Sequence, residues 1–204
     1  MLTNPYTVPM LTLQNLRAGR LGLVVTFAAT ALAVAGCSSG GSSAPSWAAA
    51  LGSDTTVTGP QSVAPGHGSP GAAVQGYVTS LTNKDAAGAC GYVDPTAQAS
   101  CKSSLTQAPK DQLPYFKNEA LGYVVTHGTQ ALAGITGSLC APGSTPECSS
   151  TNSDPAAIFS SAKPFATLWS QALAASNSSN SNAYSLAPCI EVSGQWYIDI
   201  SSSS

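Results

Sequence analysis

Arginine occurs only at Arg17 and Arg20, and none is present in the remaining 184 residues of the 204-residue chain. Without guanidinium groups, the body of the chain has no bidentate clamp for phosphate or carboxylate. Charged residues of all kinds make up only 8% of the sequence, and the five lysines (Lys84, Lys102, Lys110, Lys117 and Lys163) are scattered among polar neighbours. A nucleic-acid surface needs clustered cations to displace counterions, so no nucleic-acid partner is expected. Histidine is almost as scarce, with His67 and His127 far apart in sequence and neither beside a cysteine pair. No C-x-x-C occurs, which leaves no metal site to expect. There is also no G-x-S-x-G elbow, phosphate loop or dinucleotide fingerprint, so no cofactor is expected.

Long hydrophobic runs are limited to one, Leu21 to Gly36, and its 16 residues fall short of the roughly 20 that a membrane-spanning helix needs. Arg17 and Arg20 precede it, and it ends in Leu32-Ala33-Val34-Ala35-Gly36-Cys37 followed by Ser38-Ser39-Gly40-Gly41. A basic n-region, a short apolar h-region and small residues before a cysteine form a lipoprotein cleavage box. Residues 1–36 are therefore expected to be a signal peptide, with Met10 an alternative start. Cys37 is the expected lipid attachment site, its thiol carrying a diacylglycerol. Two acyl chains, at ~0.8 kcal/mol per buried methylene, anchor stably where one would be marginal. The expected location is extracytoplasmic, lipid-anchored to a bacterial cell membrane, with the membrane as first partner.

Residues 37–68 are rich in Ser, Gly, Ala, Pro and Thr, with Asp54 the one acid. They lack the apolar periodicity that offsets ordering entropy, so they read as a disordered tether. Trp47-Ala48-Ala49-Ala50-Leu51 is the exception, read as a local turn in the stalk, a short helix or a contact with the bilayer interface. Residues 69–204 have the length of one domain with one core, too small for a two-lobed solute-binding protein. With both arginines in the signal, five lysines face nine acids in the mature chain, a formal charge of −4.

Five cysteines remain beyond Cys37, and an oxidising compartment makes disulfides the default. Cys90 and Cys101 flank the turn signal Asp94-Pro95, and Cys140 and Cys148 flank a Pro/Gly-rich loop. These are the expected bridges, each closing a loop of roughly ten residues and contributing about 2 to 3 kcal/mol. Cys189 is left over: a buried inert thiol, a reactive one, or an intermolecular link.

Along the domain, Ser69-Pro70 caps a helix carrying Val74, Tyr77, Val78 and Leu81 on one stripe and ending near Asn83. A short helix is expected from Lys84 to Gly91, and another from Thr96 to Leu105 capped by Asp94. Residues 106–120 read as irregular or a single helical turn. Strands follow at 121–127 and 129–140, where Ala131, Ala133, Ile135, Gly137 and Leu139 alternate on one face. Pro164 to Ala175 fits a helical stripe (Phe165, Leu168, Trp169, Ala172, Leu173) and a strand face (Phe165, Thr167, Trp169, Gln171, Leu173) equally well. Tyr184, Leu186, Ile190 and Val192 alternate up to Ser193-Gly194, and Trp196, Ile198 and Ile200 alternate after it, as in a β-hairpin.

The opening Ala73-Val74-Gln75-Gly76-Tyr77-Val78 helix, the turn at Asn83-Lys84-Asp85 and the terminal Val192-Ser193-Gly194-Gln195-Trp196-Tyr197-Ile198-Asp199 hairpin resemble the nuclear-transport-factor-2-like (cystatin-related) family. The resemblance implies an α+β fold, with N-terminal helices packed on a curved, cone-like antiparallel sheet ending in a β-hairpin. It also implies that 164–175 is a strand pairing with 184–192. Enzymes of that family are isomerases, dehydratases or hydrolases with an Asp or His inside the cone, often with Tyr. The catalytic candidates are therefore His127 and Asp199, although Asp199 points to solvent if Ile198 and Ile200 face the core. The expected function is a non-catalytic binding or scaffolding module at the cell surface, and a small cone-fold enzyme is the alternative. Trp169, Tyr184 and Trp196 line a pocket for a small apolar ligand or a cell-envelope protein, or else fill the core.

Overall fold

The computed structural model describes residues 44–141, 147–150, 155–161, 163–176 and 186–200. The signal peptide, Cys37 and Tyr184 lie outside these residues. The chain is α+β.

Helix α1 (Pro70–Thr82) begins as its sequence predicts: Ser69 accepts a 3.2 Å hydrogen bond from the Ala72 N–H, and Pro70 occupies the first helical position. Lys84 turns the chain with φ of 60°, and Asp85 caps α2 (Ala86–Gly91) by accepting from the Gly88 N–H at 2.8 Å. Helix α3 (Gln98–Gln107) starts later than expected and has no side-chain cap. Asp94 is committed one turn earlier, where it accepts from both the N–H and the hydroxyl of Thr96 at 3.0 Å. Cys90 and Cys101 are bonded and tie α2 to α3 around buried Val93.

The strands are β1 (Thr55–Thr58), β2 (Tyr115–His127), β3 (Gln130–Ala141), β4 (Glu147–Ser150), β5 (Leu186–Val192) and β6 (Gln195–Ile198). Their order is β1-β2-β3-β5-β6, antiparallel throughout, with β4 paired to the far end of β3. Cys140 and Cys148 stand directly opposite in the β3–β4 pair and are bonded. The β5–β6 hairpin turns through Ser193 and Gly194, with φ of 54° and 78°, the left-handed pair of a type I′ turn.

Strand β2 extends six residues upstream of its expected start, through a stretch that reads as irregular. The cause is a pair of bulges. Between Lys117↔Ser138 and Ala120↔Thr136, and again between Leu121↔Ile135 and Val124↔Ala133, β2 uses three residues where β3 uses two. Phe116, Leu121 and Val124 thereby share one face despite odd spacings. A strict period of two misses them, whereas Ala131, Ala133 and Ile135 on unbulged β3 reach that same core as expected.

Two expectations fail. Residues 44–68 are not a tether: Ser46–Leu51 form a 3-10 turn, and β1 adds a strand to the edge of β2. Leu51 is buried, and Trp47 and Val57 pack beside it, enough apolar contact to order a Ser/Thr-rich stretch. Second, 165–176 is a helix, α5 (Phe165–Ser176), preceded by the single-turn α4 (Pro155–Phe159). Helical spacing buries Phe165, Leu168, Trp169 and Ala172 and leaves Thr167 and Gln171 exposed, whereas a strand would have put those two polar side chains on the buried face.

Helix α5 changes the architecture. Helix α1 covers one face of the sheet, over Phe116, Leu121, Val124, Ala133 and Trp196. The 3-10 turn, α4 and α5 cover the other, over Val125, Leu132 and Leu186. The layers are helix, sheet, helix.

Gly137 permits the first bulge. Its φ is +117°, and a Cβ there would lie 2.8 Å from the Lys117 carbonyl oxygen and 2.9 Å from that of Asn118. Backbone strain together with overpacking should cost Gly137→Ala about 3 kcal/mol or more. Gly128, with φ of +58° and open space around it, should lose only about 1 kcal/mol on the same change. Urea midpoints at constant m-value check the contrast, and equal losses would remove the bulge from this account.

Candidate functional site

The sequence-derived candidates are not brought together. His127 ends β2, exposed, with its ring stacked on Phe165 of α5 at 5.2 Å. Asp199 follows β6, three strands away and two residues further along. Strand spacings of about 4.8 Å and rises of about 3.3 Å put these backbones roughly 15 Å apart. No acid–base pair forms between them.

Asp199 is not a solvated carboxylate. It is 5% exposed, and its N–H donates to the Pro188 carbonyl at 2.8 Å. Strand parity does not account for this: Ile200 packs against the core that holds Trp196 and Ile198, yet Asp199 between them is buried.

Among the described residues Cys189 is the free cysteine, and it is fully buried. It pairs with Ala131 on one side and Ile198 on the other, and its Sγ lies 3.6 Å from the Ala187 carbonyl oxygen and 4.0 Å from that of Pro70. Burial pushes its thiol well above the usual range, and the negative charge of Asp199 pushes it further in the same direction. The thiol is therefore protonated, inaccessible and unreactive, which leaves the inert reading of the three.

The aromatic candidates separate as well. Trp169 belongs to the core under α5 and Trp196 to the core under α1, on opposite faces of the sheet, so they cannot line one pocket. A surface cleft of about 220 Å³ does exist, between Pro60, Ala120 to Tyr123, Thr136 and Ala156. Its side-chain polar groups are the Tyr123 phenol and the Thr136 hydroxyl, which donates to the Ala120 carbonyl at 3.2 Å. The cleft is smaller than a typical ligand pocket and holds no carboxylate or imidazole. Among the described residues, no group of three or more His, Cys, Asp and Glu is placed to hold a metal ion.

His67, which sequence reasoning assigned to the tether, joins a cluster of polar and aromatic groups from the folded domain. His67 exchanges two contacts with Trp196: the Trp196 N–H donates to the His67 carbonyl at 2.9 Å, and the His67 Nδ1 lies 2.9 Å from the Trp196 carbonyl oxygen. A carbonyl has no proton to give, so Nδ1 carries the hydrogen. The imidazole stacks on Tyr92 at 4.9 Å and meets Tyr197 at 4.6 Å. Gly76 makes room: a Cβ there would lie 2.2 Å from the Tyr92 ring. Together with the Val93↔Ile198 bridge and the Asp94 N–H to Ile198 carbonyl bond, the cluster closes the outer edge of β6. Its chemistry is that of a clasp, with the faces of the imidazole taken by neighbouring rings. The signal that points to it is the histidine itself, within a stretch otherwise poor in ordering residues.

No protein family, curated protein or solved structure matches this chain.

The buried thiol makes two measurements predictable. In a Cys37→Ser chain without reductant, the folded protein should show no reactive thiol to a water-soluble reagent, and one on denaturation. Folding holds the Cys189 proton more tightly than the unfolded chain does, so its contribution is intact below about pH 8.5 and declines above it. The wild-type stability relative to Cys189→Ala should therefore fall by up to about 1.4 kcal/mol per pH unit in the alkaline range. Rapid labelling of the folded protein would contradict the burial argument.

Proposed function

We propose that this chain is a membrane-anchored extracytoplasmic lipoprotein whose folded part is a non-catalytic binding or scaffolding module. The observation that carries this reading is the Leu32 to Cys37 box behind Arg17, Arg20 and a 16-residue apolar segment. Among the described residues no helix is long and apolar enough to cross a membrane. Two further observations support the non-catalytic half. His127 and Asp199 are far apart, and the free thiol is sealed in the core. A small apolar ligand at the 220 Å³ cleft or a cell-envelope protein is the partner class that fits a surface with few charges. A distant nuclear-transport-factor-2-like origin is part of the proposal. It rests on the α1–α2 turn and the terminal hairpin, with α5 an addition on the second face of the sheet.

The test is acylation in a bacterial host fed radiolabelled palmitate. The wild-type chain should take up label and partition into the detergent phase on cloud-point separation, and Cys37→Ser should do neither. Equal labelling of the two, or none in either, overturns the anchor.

A further inference from the structure

The placement of the ordered chain relative to Cys37 has a geometric consequence for the domain at the membrane. Only seven residue steps separate Cys37 from Ala44, where the described structure begins. At 3.3 to 3.6 Å per residue, even a fully extended chain spans at most about 25 Å. A 30-residue leash would leave the domain free to tumble, and this one is shorter than a small domain is wide. The exit point is also fixed. The Trp47 ring meets Tyr123 edge-on at 5.2 Å and stacks on Phe159 at 5.3 Å, and Leu51 behind it is 3% exposed. The leash therefore leaves from the sheet face covered by α4 and α5, opposite the one covered by α1.

We infer that the lipid anchor holds the domain against the headgroup layer with the 3-10 turn and α4 toward the bilayer and α1, α2 and α3 toward the outside. This rests on the anchor proposed above. The partner is a lipid surface. The rim around the exit suits one: Ser46, Ala49, Ser53, Ala157 and Ser160 are exposed and uncharged, and the acids next to these segments in sequence are Asp54 and Asp154. Anionic headgroups meet little like charge there. Trp47, half-buried beside that rim, is a residue type at home at a membrane–water boundary. The same orientation turns the exposed side of α3 outward, where an envelope partner would meet it.

The experiment uses the full acylated chain in vesicles of phosphatidylglycerol and phosphatidylethanolamine that carry a headgroup-attached energy acceptor. A donor dye is placed at Ser53→Cys, next to the 3-10 turn, or at Ser103→Cys, on exposed α3. Cys189 is buried and the other cysteines are bonded or acylated, so the dye reports the chosen position. Transfer from position 53 should exceed transfer from position 103. Inserting 20 Gly/Ser residues between Ser43 and Ala44, which adds about 25 Å of root-mean-square reach, should abolish that excess. Acylated protein in which position 103 is as close as position 53, or in which the insertion leaves the excess unchanged, overturns the orientation alone. Failure of the wild-type chain to acquire the acyl group overturns the anchor, and the orientation with it.

Discussion

Everything else in this protein is built on the β2–β3 ladder and the requirement that both of its faces be covered. It is the longest pairing in the sheet, thirteen residues against twelve, and it supplies core residues to both sides. A sheet with one apolar face is satisfied by a single layer of helices. With Val125 and Leu132 on one face and Val124 and Ala133 on the other, this one is not. The second layer, made of the 3-10 turn, α4 and α5, follows from that two-sided burial. Residues before α1 are drawn into the fold for the same reason, because the second core is incomplete without Leu51 and Trp47.

How much of this was legible depended on whether local pattern and tertiary need agreed. Helix α1, with Ser69, Pro70 and an apolar stripe, and the hairpin at Ser193-Gly194 were readable because cap, turn and periodicity pointed the same way. Both disulfides were readable from spacing and turn residues. Strand β2 was readable only where it is regular, since its bulges shift the apolar set by one residue twice, which a period of two cannot represent. Segment 165–176 was ambiguous by pattern, and the family likeness pointed to a strand; the positions of Thr167 and Gln171 favour the helix once burial is known. The candidate site fared worst. His67 was hidden by the composition of its neighbours. Asp199 was expected in solvent from strand parity and is instead buried.

The cysteine arithmetic has a physical resolution. Lipidation at Cys37 would remove one of six, two bridges close four, and Cys189 is left without a partner. In an oxidising compartment an exposed odd thiol is a liability for mispairing. Here it sits between Ala131 and Ile198 in the centre of a core, where burial and the nearby Asp199 charge both oppose the thiolate that disulfide exchange requires. The same burial that makes it useless as a nucleophile makes it safe.

Composition misled most where it seemed plainest. A stretch of Ser, Thr, Gly and Pro is disordered when nothing repays its ordering, and judged alone, residues 44–68 repay nothing. Their payoff is non-local. Trp47 and Leu51 complete a core built by α4 and α5 more than a hundred residues later, Thr55 to Thr58 satisfy the edge of β2, and His67 clasps the opposite edge at Trp196. One low-complexity segment thus runs from one edge of the sheet to the other and binds both. A chain so committed has little length left to serve as a spacer. The segment that would have lifted the domain away from a membrane is instead part of what the domain is made of, and any anchor at Cys37 must hold that domain close.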